Sequence, residues 1–490
     1  MRKLLESKQT GIYRHRQSAA KLAAGLLEDD DPQIVLEAAR VIHDLEVKSE
    51  MPKLASLIAS AEEFADFGEL TADALIRRIV SANVRVGAKA NAEALVKFAC
   101  NETFAVERRI DAISALETWA NPSKRMMVLR AWRPMDPKMR NVVDARNAVD
   151  AGFKTLTSTD FDKLTRAAIQ AAGTLNLISI GSALEDVVLS NKAQDETRSV
   201  ALESLDKIKY ENLDQLLLEV ESDYDSLPPQ LASMAIDMIA DRDEKRGVVL
   251  IAKALSSGEQ STKQSVIRTL GRMKDSGSAE LLSKLIQRAA KDELAVELRL
   301  DVTESAANRT DESVEKLLTA YQAKKIKPGD KGSAYVDTLA GGNVKAGSKI
   351  FSGKTEVSCV RCHKIDGKGG EVGPDLSSVG LKRDRKYLME AIVDPNKEIA
   401  EGYAQVKVQT DTGEMLVGIV HSETDELLTL MDADGKLIEI DPGSIEGRKT
   451  GQSSMPDDLI KSLTKKEVRD LVEYLASLKT PIDKEPEGHQ

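Results

Sequence analysis

The sequence predicts a mainly α-helical protein: an α-solenoid of stacked helix pairs, followed by a small all-α domain that carries an antiparallel β insertion. Three observations predict this. Residues 1–330 have helical apolar spacing, a Cys-bearing and glycine-rich segment follows, and residues 402–448 alternate apolar and polar residues between turn signals. We therefore expect domains at 1–330 and 343–480, a linker at 331–342, and a disordered tail after residue 480 (residues 481–490).

Similar helices recur throughout residues 1–330. From residue 166 they return roughly every thirty to thirty-six residues, each after a polar turn such as 194–197. Apolar residues at i, i+3, i+4 and i+7, with small residues between them, suit helix pairs that bury a core by stacking. The pattern resembles HEAT repeats, and this resemblance implies a surface for binding proteins. An unrelated α-helical bundle is the alternative.

The most informative stretch of the chain is Cys359-Val360-Arg361-Cys362-His363, a C-x-x-C-H motif. Thiols at this spacing reach the two vinyl groups of one porphyrin, and the histidine that follows lies under the iron. A zinc site would need a second Cys/His pair, which a chain with three Cys and five His does not offer at similar spacing. A thioredoxin-like site would need no histidine here. The motif predicts one covalently attached haem c per chain.

Two later positions suit the ligation of haem iron. Pro374 lies in a stiff turn about ten residues after His363, where its carbonyl can hold the second nitrogen of the imidazole. Met455 lies on a short loop before the final amphipathic helix, where a thioether ligand is expected. The apolar walls of the haem pocket are expected to come from five residues: Leu376, Leu381, Ile392, Leu459 and Leu463.

Together these motifs resemble the class I cytochrome c fold over residues 341–480. In that fold the first and last helices cross, which implies a close approach at Gly347 and aromatic residues such as Phe351 and Tyr474 near the contact. One departure is the β element of about 402–448, which separates the two ligands by about ninety residues.

That insertion makes the layout similar to the haem-binding domain of planctomycete and verrucomicrobial proteins, which commonly follows HEAT-type repeats. The resemblance implies Cys359 and Cys362 for covalent attachment, His363 as the proximal ligand and Met455 as the distal ligand. The sugar-dehydrogenase-like propeller often found in that family is not in this sequence, so the chain by itself is not expected to be an enzyme.

The expected function is electron transfer from an associated dehydrogenase to a downstream acceptor. With His363 and Met455 on iron, no substrate reaches the metal, and a thioether ligand raises the potential. The alternatives are a haem enzyme or ligand sensor with an open sixth position, a bis-histidine centre that uses His421, and a HEAT scaffold in which the haem is secondary.

Composition and the N-terminal sequence limit partners and location. The net charge of −11 argues against nucleic acid, and no apolar run is long enough to span a membrane. Residues 1–8 contain no signal-peptide core, yet covalent haem attachment takes place outside the cytoplasmic membrane. We therefore expect a location in the periplasm or otherwise outside the cytoplasmic membrane, and a chain that is a fragment of a longer exported protein. Cys100 is expected to be a buried structural thiol.

Overall fold

The computed structural model describes residues 13–137 and 140–480. The predicted tail at 481–490 and the N-terminal residues 1–8 lie outside the described residues. The chain divides into two compact units, residues 1–235 and 236–490, each of which is described by itself. None of the described helices is both long and apolar enough to cross a membrane.

The first unit consists of packed helices. They are α1 (Tyr13–Gly25), α2 (Pro32–Asp44), α3 (Met51–Ser56), the 3-10 helix Leu57–Phe67, α4 (Glu69–Val86), α5 (Lys89–Cys100), α6 (Val106–Glu117), α7 (Val142–Thr157), α8 (Asp162–Thr174), α9 (Gly181–Leu189), α10 (Asp195–Lys207) and α11 (Leu213–Ser222), and α12 (Pro229–Arg242) runs across the division. Helix α8 packs against α6, α7 and α10, so contacts join both adjacent and alternate helices, as the predicted helix-pair stacking requires.

Local sequence explains where these helices begin and end. Asp31 accepts a hydrogen bond from the backbone of Gln33 and Pro32 occupies the first turn, so α2 begins there. Gly87 ends α4 in a left-handed conformation with φ of 72°. Cys100 is half-buried, and burial raises the pKa of its thiol.

The second unit begins with more helices of the same kind and ends with the haem-motif domain. Its first helices are α13 (Glu244–Ser257), α14 (Gln260–Leu270), α15 (Ser276–Ala290), α16 (Val296–Ala307) and α17 (Glu312–Lys325). Alternate helices again pack together, α14 on α16 and α15 on α17. The predicted fold class, helical pairs followed by a small helical domain with a β insertion, is confirmed.

The segment predicted as a linker, 331–342, is packed rather than extended. Lys331–Thr338 forms a 3-10 helix that contacts α16, and Ser333 and Thr338 are buried. The amide of Gln264, on α14, donates to the carbonyl of Gly341 at 2.8 Å. The Lys- and Gly-rich composition predicts a free connection. Polar atoms of this segment instead form hydrogen bonds with the preceding helices, α1–α17, which we call the array. The division near residue 330 therefore does not coincide with a gap in packing.

The haem-motif domain follows this segment. Its elements are α18 (Val344–Gly353), α19 (Cys359–Cys362), β1 (Lys364–Ile365), β2 (Lys368–Gly369), α20 (Val379–Lys382), α21 (Arg385–Val393), β3 (Ala404–Thr410), β4 (Met415–Glu423), β5 (Leu428–Met431), β6 (Leu437–Ile440), β7 (Ile445–Ser453) and α22 (Lys465–Ser477). Helix α18 crosses α22 at Gly347, where any side chain would collide with the carbonyl of Asp470. The rings of Phe351 and Tyr474 lie 5.8 Å apart beside the crossing, as the resemblance implied.

The β insertion is a five-stranded antiparallel sheet in the order β6-β5-β4-β3-β7. Four of its strands lie where the alternation predicts them, and Gly413 and Gly435 turn the chain with positive φ. The fifth, β7, extends to Ser453, five residues beyond the predicted boundary at 448. Its sequence carries Gly, Arg, Lys and Gln instead of alternating apolar residues, so periodicity does not reveal it.

Candidate haem site

The C-x-x-C-H motif forms one short turn of helix held by backbone contacts. Ser358, with φ of 43°, starts the turn, and α19 places Cys359 and Cys362 one turn apart. The β1–β2 ribbon then folds back so that the amide of Gly370 donates to the carbonyl of Val360 at 3.0 Å. A Cβ at Gly370 would collide with the carbonyl of Arg361, which explains a glycine here.

The predicted turn at Pro374 orients the imidazole ring of His363. Its Nδ1 lies 3.0 Å from the carbonyl oxygen of Pro374, a contact in which Nδ1–H donates. The backbone amide of Gly373 donates to the carbonyl of Cys362 at 2.8 Å, which fixes the turn against the motif. Burial lowers the pKa of His363, so the ring is neutral and its Nε2 lone pair is available to a metal.

Gly373 is a site residue that the sequence interpretation did not single out. A Cβ on Gly373 would lie 2.6 Å from Cε1 and 2.8 Å from Nδ1 of His363, so the backbone lies flat against the imidazole. The available signal was its position directly before Pro374, in a turn already assigned to hold the ring. Only glycine permits this approach without moving the ring.

A cavity of about 290 Å³ opens in front of His363. Cys359, Cys362, Pro374 and Met455 line the same cavity, so the structure brings together all five residues predicted for the site. Of the predicted apolar walls, Leu376, Ile392 and Leu459 line the cavity.

The other two predicted walls do not line the cavity. Leu381 is 58% exposed, and Leu463 packs in the domain core instead. Leu381 lies in the four-residue helix α20 and Leu463 lies in the stretch before α22, and both elements are too short for helical periodicity to predict which way a side chain faces. Tyr387 and Tyr403 line the cavity and were not predicted as walls.

Met455 is held in place by neighbours on either side of it. Its amide donates to Oγ of Ser453 at 3.1 Å, and the amide of Ser453 donates to Oδ1 of Asn396 at 2.9 Å. Nearby, Lys331 forms ion pairs with Asp457 at 2.8 Å and with Asp394 at 3.2 Å. The loop that carries the thioether is therefore tied to the connection after α21.

The competing ligand candidates do not line this cavity. Met389 is buried in the core formed by α18, α21 and α22, and Met431, on β5, is buried against Ile419 and Val372. His421 lies on β4, is half-buried, and is not among the cavity-lining residues.

The β insertion covers one side of the motif. Ile419 and Met431, paired across β4 and β5, pack on Val372. Cys362 and Tyr403 pack against this cluster, so apolar sheet residues shield the second cysteine from water.

The donor set fits a covalently attached haem. Burial raises the pKa of Cys359 to about 11 and raises that of Cys362, so both are neutral thiols, and their sulfur atoms are the groups that would form thioethers with a haem. The cavity presents an imidazole and a thioether, and most of its remaining lining is apolar. Such a pocket suits a porphyrin with two axial ligands.

The comparison with protein families agrees with this geometry. The family model for cytochrome c matches residues 344–429, a range that contains Cys359, Cys362, His363 and Pro374. Among curated proteins, none matches this chain. Residues 344–429 are thus similar to cytochrome c, a family whose members carry covalently bound haem c and transfer electrons.

Proposed function

We propose that this chain is a c-type cytochrome with one haem, which relays electrons from an associated dehydrogenase to a downstream acceptor. In this proposal Cys359 and Cys362 form the thioethers, His363 is the proximal ligand and Met455 is the distal ligand. Bound haem c supplies a one-electron ferrous–ferric couple.

One observation carries the proposal. His363 and Met455 line a single cavity together with both cysteines, and Pro374 already occupies Nδ1 of the imidazole. The remaining Nε2 and the thioether are two neutral ligands, an arrangement that leaves no coordination position for a substrate and favours a high potential.

The protein around the ligands has three tasks in this proposal. The Pro374 carbonyl keeps the imidazole in one tautomer and strengthens it as a ligand. The apolar walls exclude water, and the sheet of the insertion covers the Cys362 side. Low polarity around the iron disfavours the more highly charged ferric state and raises the potential further.

The location and the partners follow from the same proposal. Because haem is attached to this motif outside the cytoplasmic membrane, the protein is placed in the periplasm or an equivalent compartment. The preceding helices act as HEAT-type repeats that bind proteins, and the dehydrogenase is a partner of this chain.

Absorption spectra test the ligand set and the function together. We expect the oxidised haem-loaded protein to show a sulfur–iron charge-transfer band, and the reduced protein to leave carbon monoxide unbound. Rapid binding of carbon monoxide would instead support the enzyme or sensor alternative with an open position. A low-spin spectrum without the sulfur–iron band would support a bis-histidine centre. A haem iron that cannot be reversibly reduced and oxidised would support the alternative in which the helical repeats act as a scaffold and the haem is secondary.

A further inference from the structure

A second cleft, separate from the haem cavity, lies between the last array helices and the haem domain within the second unit. Its volume is about 680 Å³. Helix α16 and the end of α17 form one wall, and the α20–α21 connection and the end of α22 form the other. Six basic side chains line it: Arg299, Lys325, Arg383, Arg385, Lys386 and Lys479.

The two carboxylates that line this basic cleft already have partners within the protein. Asp337 accepts a hydrogen bond from the hydroxyl of Tyr321 at 2.7 Å. Asp384 caps α21 by accepting from the amide of Tyr387 at 2.8 Å. Both carboxylates are therefore already engaged as hydrogen-bond acceptors, and the six basic side chains of the lining outnumber them.

Carboxylates around the basic cleft pair with several of its cations without saturating them. Asp292 pairs with both Arg299, at 2.9 Å, and Lys325, at 3.1 Å, and Arg299 also donates to the carbonyl of Leu294. Arg383 makes a single contact with Glu398, at 3.3 Å, and a guanidinium has five N–H donors.

Two further cations differ in how far they are paired. Arg385 binds both carboxylate oxygens of Glu473, at 2.6 and 2.8 Å, and also donates to the carbonyl of Leu339, whereas Lys386 lies 4.0 Å from Glu390. Donors therefore remain on Lys386 and on Arg383, whose guanidinium can bind an external carboxylate in bidentate fashion.

The basic cleft and the haem cavity share one side chain. Arg383 lines both, and its guanidinium lies 4.1 Å above the ring of Tyr387, which also lines the haem cavity. A group bound in the cleft is thus separated from the haem site by these side chains.

We propose that the basic cleft docks an acidic segment of the redox partner. This inference rests on the proposed electron-transfer function and names the chemistry of the partner. Charge complementarity selects the occupant: the chain has a net charge of −11, so most of its surface repels an acidic protein and this cleft attracts one. Arg299 and Lys325 come from the array, which gives the array a role in docking next to the haem.

Calorimetry with a peptide of eight glutamates tests the cleft directly. The haem-loaded full chain should bind the peptide at low ionic strength, and binding should weaken as salt is added. The triple variant K325Q/K386Q/K479Q should lose about tenfold in affinity. The control K345Q/K349Q/K449Q removes three exposed lysines of the haem domain outside the cleft, and it should bind as the wild type does.

Equal loss in the two triple variants would mean non-specific attraction and would overturn the proposal. Removal of residues 481–490, which include Asp483, Glu485 and Glu487, supplies a second check. If the peptide binds only after this removal, the occupant of the cleft is the chain's own acidic segment, and docking of a partner is refuted.

Two one-electron oxidants connect the cleft to electron transfer. The rate at which anionic hexacyanoferrate(III) oxidises the reduced protein should fall as ionic strength rises, because salt screens its attraction to the cleft. The net negative charge of the chain by itself predicts the opposite, a rate that rises with salt. Cationic tris(phenanthroline)cobalt(III) should not share this dependence. In K325Q/K386Q/K479Q the rate of oxidation by hexacyanoferrate(III) should no longer fall as ionic strength rises. An unchanged salt dependence would refute the proposal. If neither reagent oxidises the haem, the proposed function fails, while calorimetry still decides on the cleft.

Discussion

The proximal and distal sides of the haem site are built in different ways. On the proximal side, Cys359 to Pro374 is a continuous segment in which the motif, the glycine ribbon and the proline turn contact one another. On the distal side, Met455 follows a five-stranded insertion and depends on Asn396 for its position. Short-range contacts therefore fix the proposed proximal ligand, while long-range packing fixes the proposed distal ligand.

This difference predicts that the two sides of the haem site respond differently to denaturant and to destabilising substitutions. The proximal segment closes short loops, which cost little conformational entropy, and covalent attachment secures it further. The distal loop follows the insertion and is held by Asn396, which comes after α21, so its position depends on contacts between segments far apart in sequence. We expect distal ligation to be lost under conditions that leave the proximal side intact.

The largest effect is expected from removing both proximal thiols. In the variant C359S/C362S no thioether can form, so haem should be lost completely on denaturing electrophoresis and acid–acetone extraction. The wild-type chain should retain it through both treatments. C100S is the matched control, because Cys100 lies on α5 in the other unit, and it should behave as the wild type does. Haem that stays with the C359S/C362S chain would refute covalent attachment.

Replacement of the distal ligand should have the next largest effect. In M455A the haem should stay attached, the sulfur–iron band should vanish, and carbon monoxide should bind the reduced form. The potential should fall by on the order of 0.1 V, within the wide range that axial ligands set. H421A is the control and should change none of these properties. If H421A has these effects and M455A does not, the centre is a bis-histidine one.

The same contrast explains how far the sequence could predict the structure. The motif, the Pro374 acceptor and four insertion strands have local signatures, namely spacing, turn residues and alternation. Met455 was selected by resemblance and loop position, since a lone Met has no local signature. The wall residue Leu381 and the strand β7 were predicted wrongly or missed because their environment is set by distant packing.

The linker illustrates the same limit for domain boundaries. Composition indicated a free connection at 331–342, and on that basis a haem domain that starts near Ala334 is expected to fold alone. The structure gives the haem domain a buried contact with the array, because Arg469 of α22 is only 3% exposed and pairs with Asp301 of α16 at 2.6 Å. A chain without α16 would expose Arg469 and the apolar groups around it.

Asp301 supplies a moderate test of the distal side. It also accepts from Arg268 at 2.9 Å, so D301N leaves two arginines facing an amide. We expect a loss of about 3 kcal/mol in the free energy of unfolding of the second unit. In a urea titration the sulfur–iron band should disappear at a lower concentration than in the wild type, while haem stays attached.

The control for D301N is E312Q, which breaks an exposed pair between Glu312 and Lys316 on α17. It should leave the urea midpoint unchanged, because exposed pairs within one helix contribute little. An unchanged midpoint in D301N would show that the haem domain is independent of the array, as composition alone suggests. The contrast between a self-contained proximal side and a dependent distal side would then need revision.

The smallest effect is expected where the proximal turn meets the insertion. Arg361 pairs with Asp434 of the β5–β6 turn, but the two side chains are 66% and 67% exposed. R361Q should therefore cost at most about 0.5 kcal/mol, a difference that high salt should abolish. Urea midpoints at low and high ionic strength measure it, and both spectrum and potential should match the wild type. A larger, salt-independent loss would mean that the insertion supports the proximal side as well, because the buried contact of Met431 with Val372 would then depend on this pair.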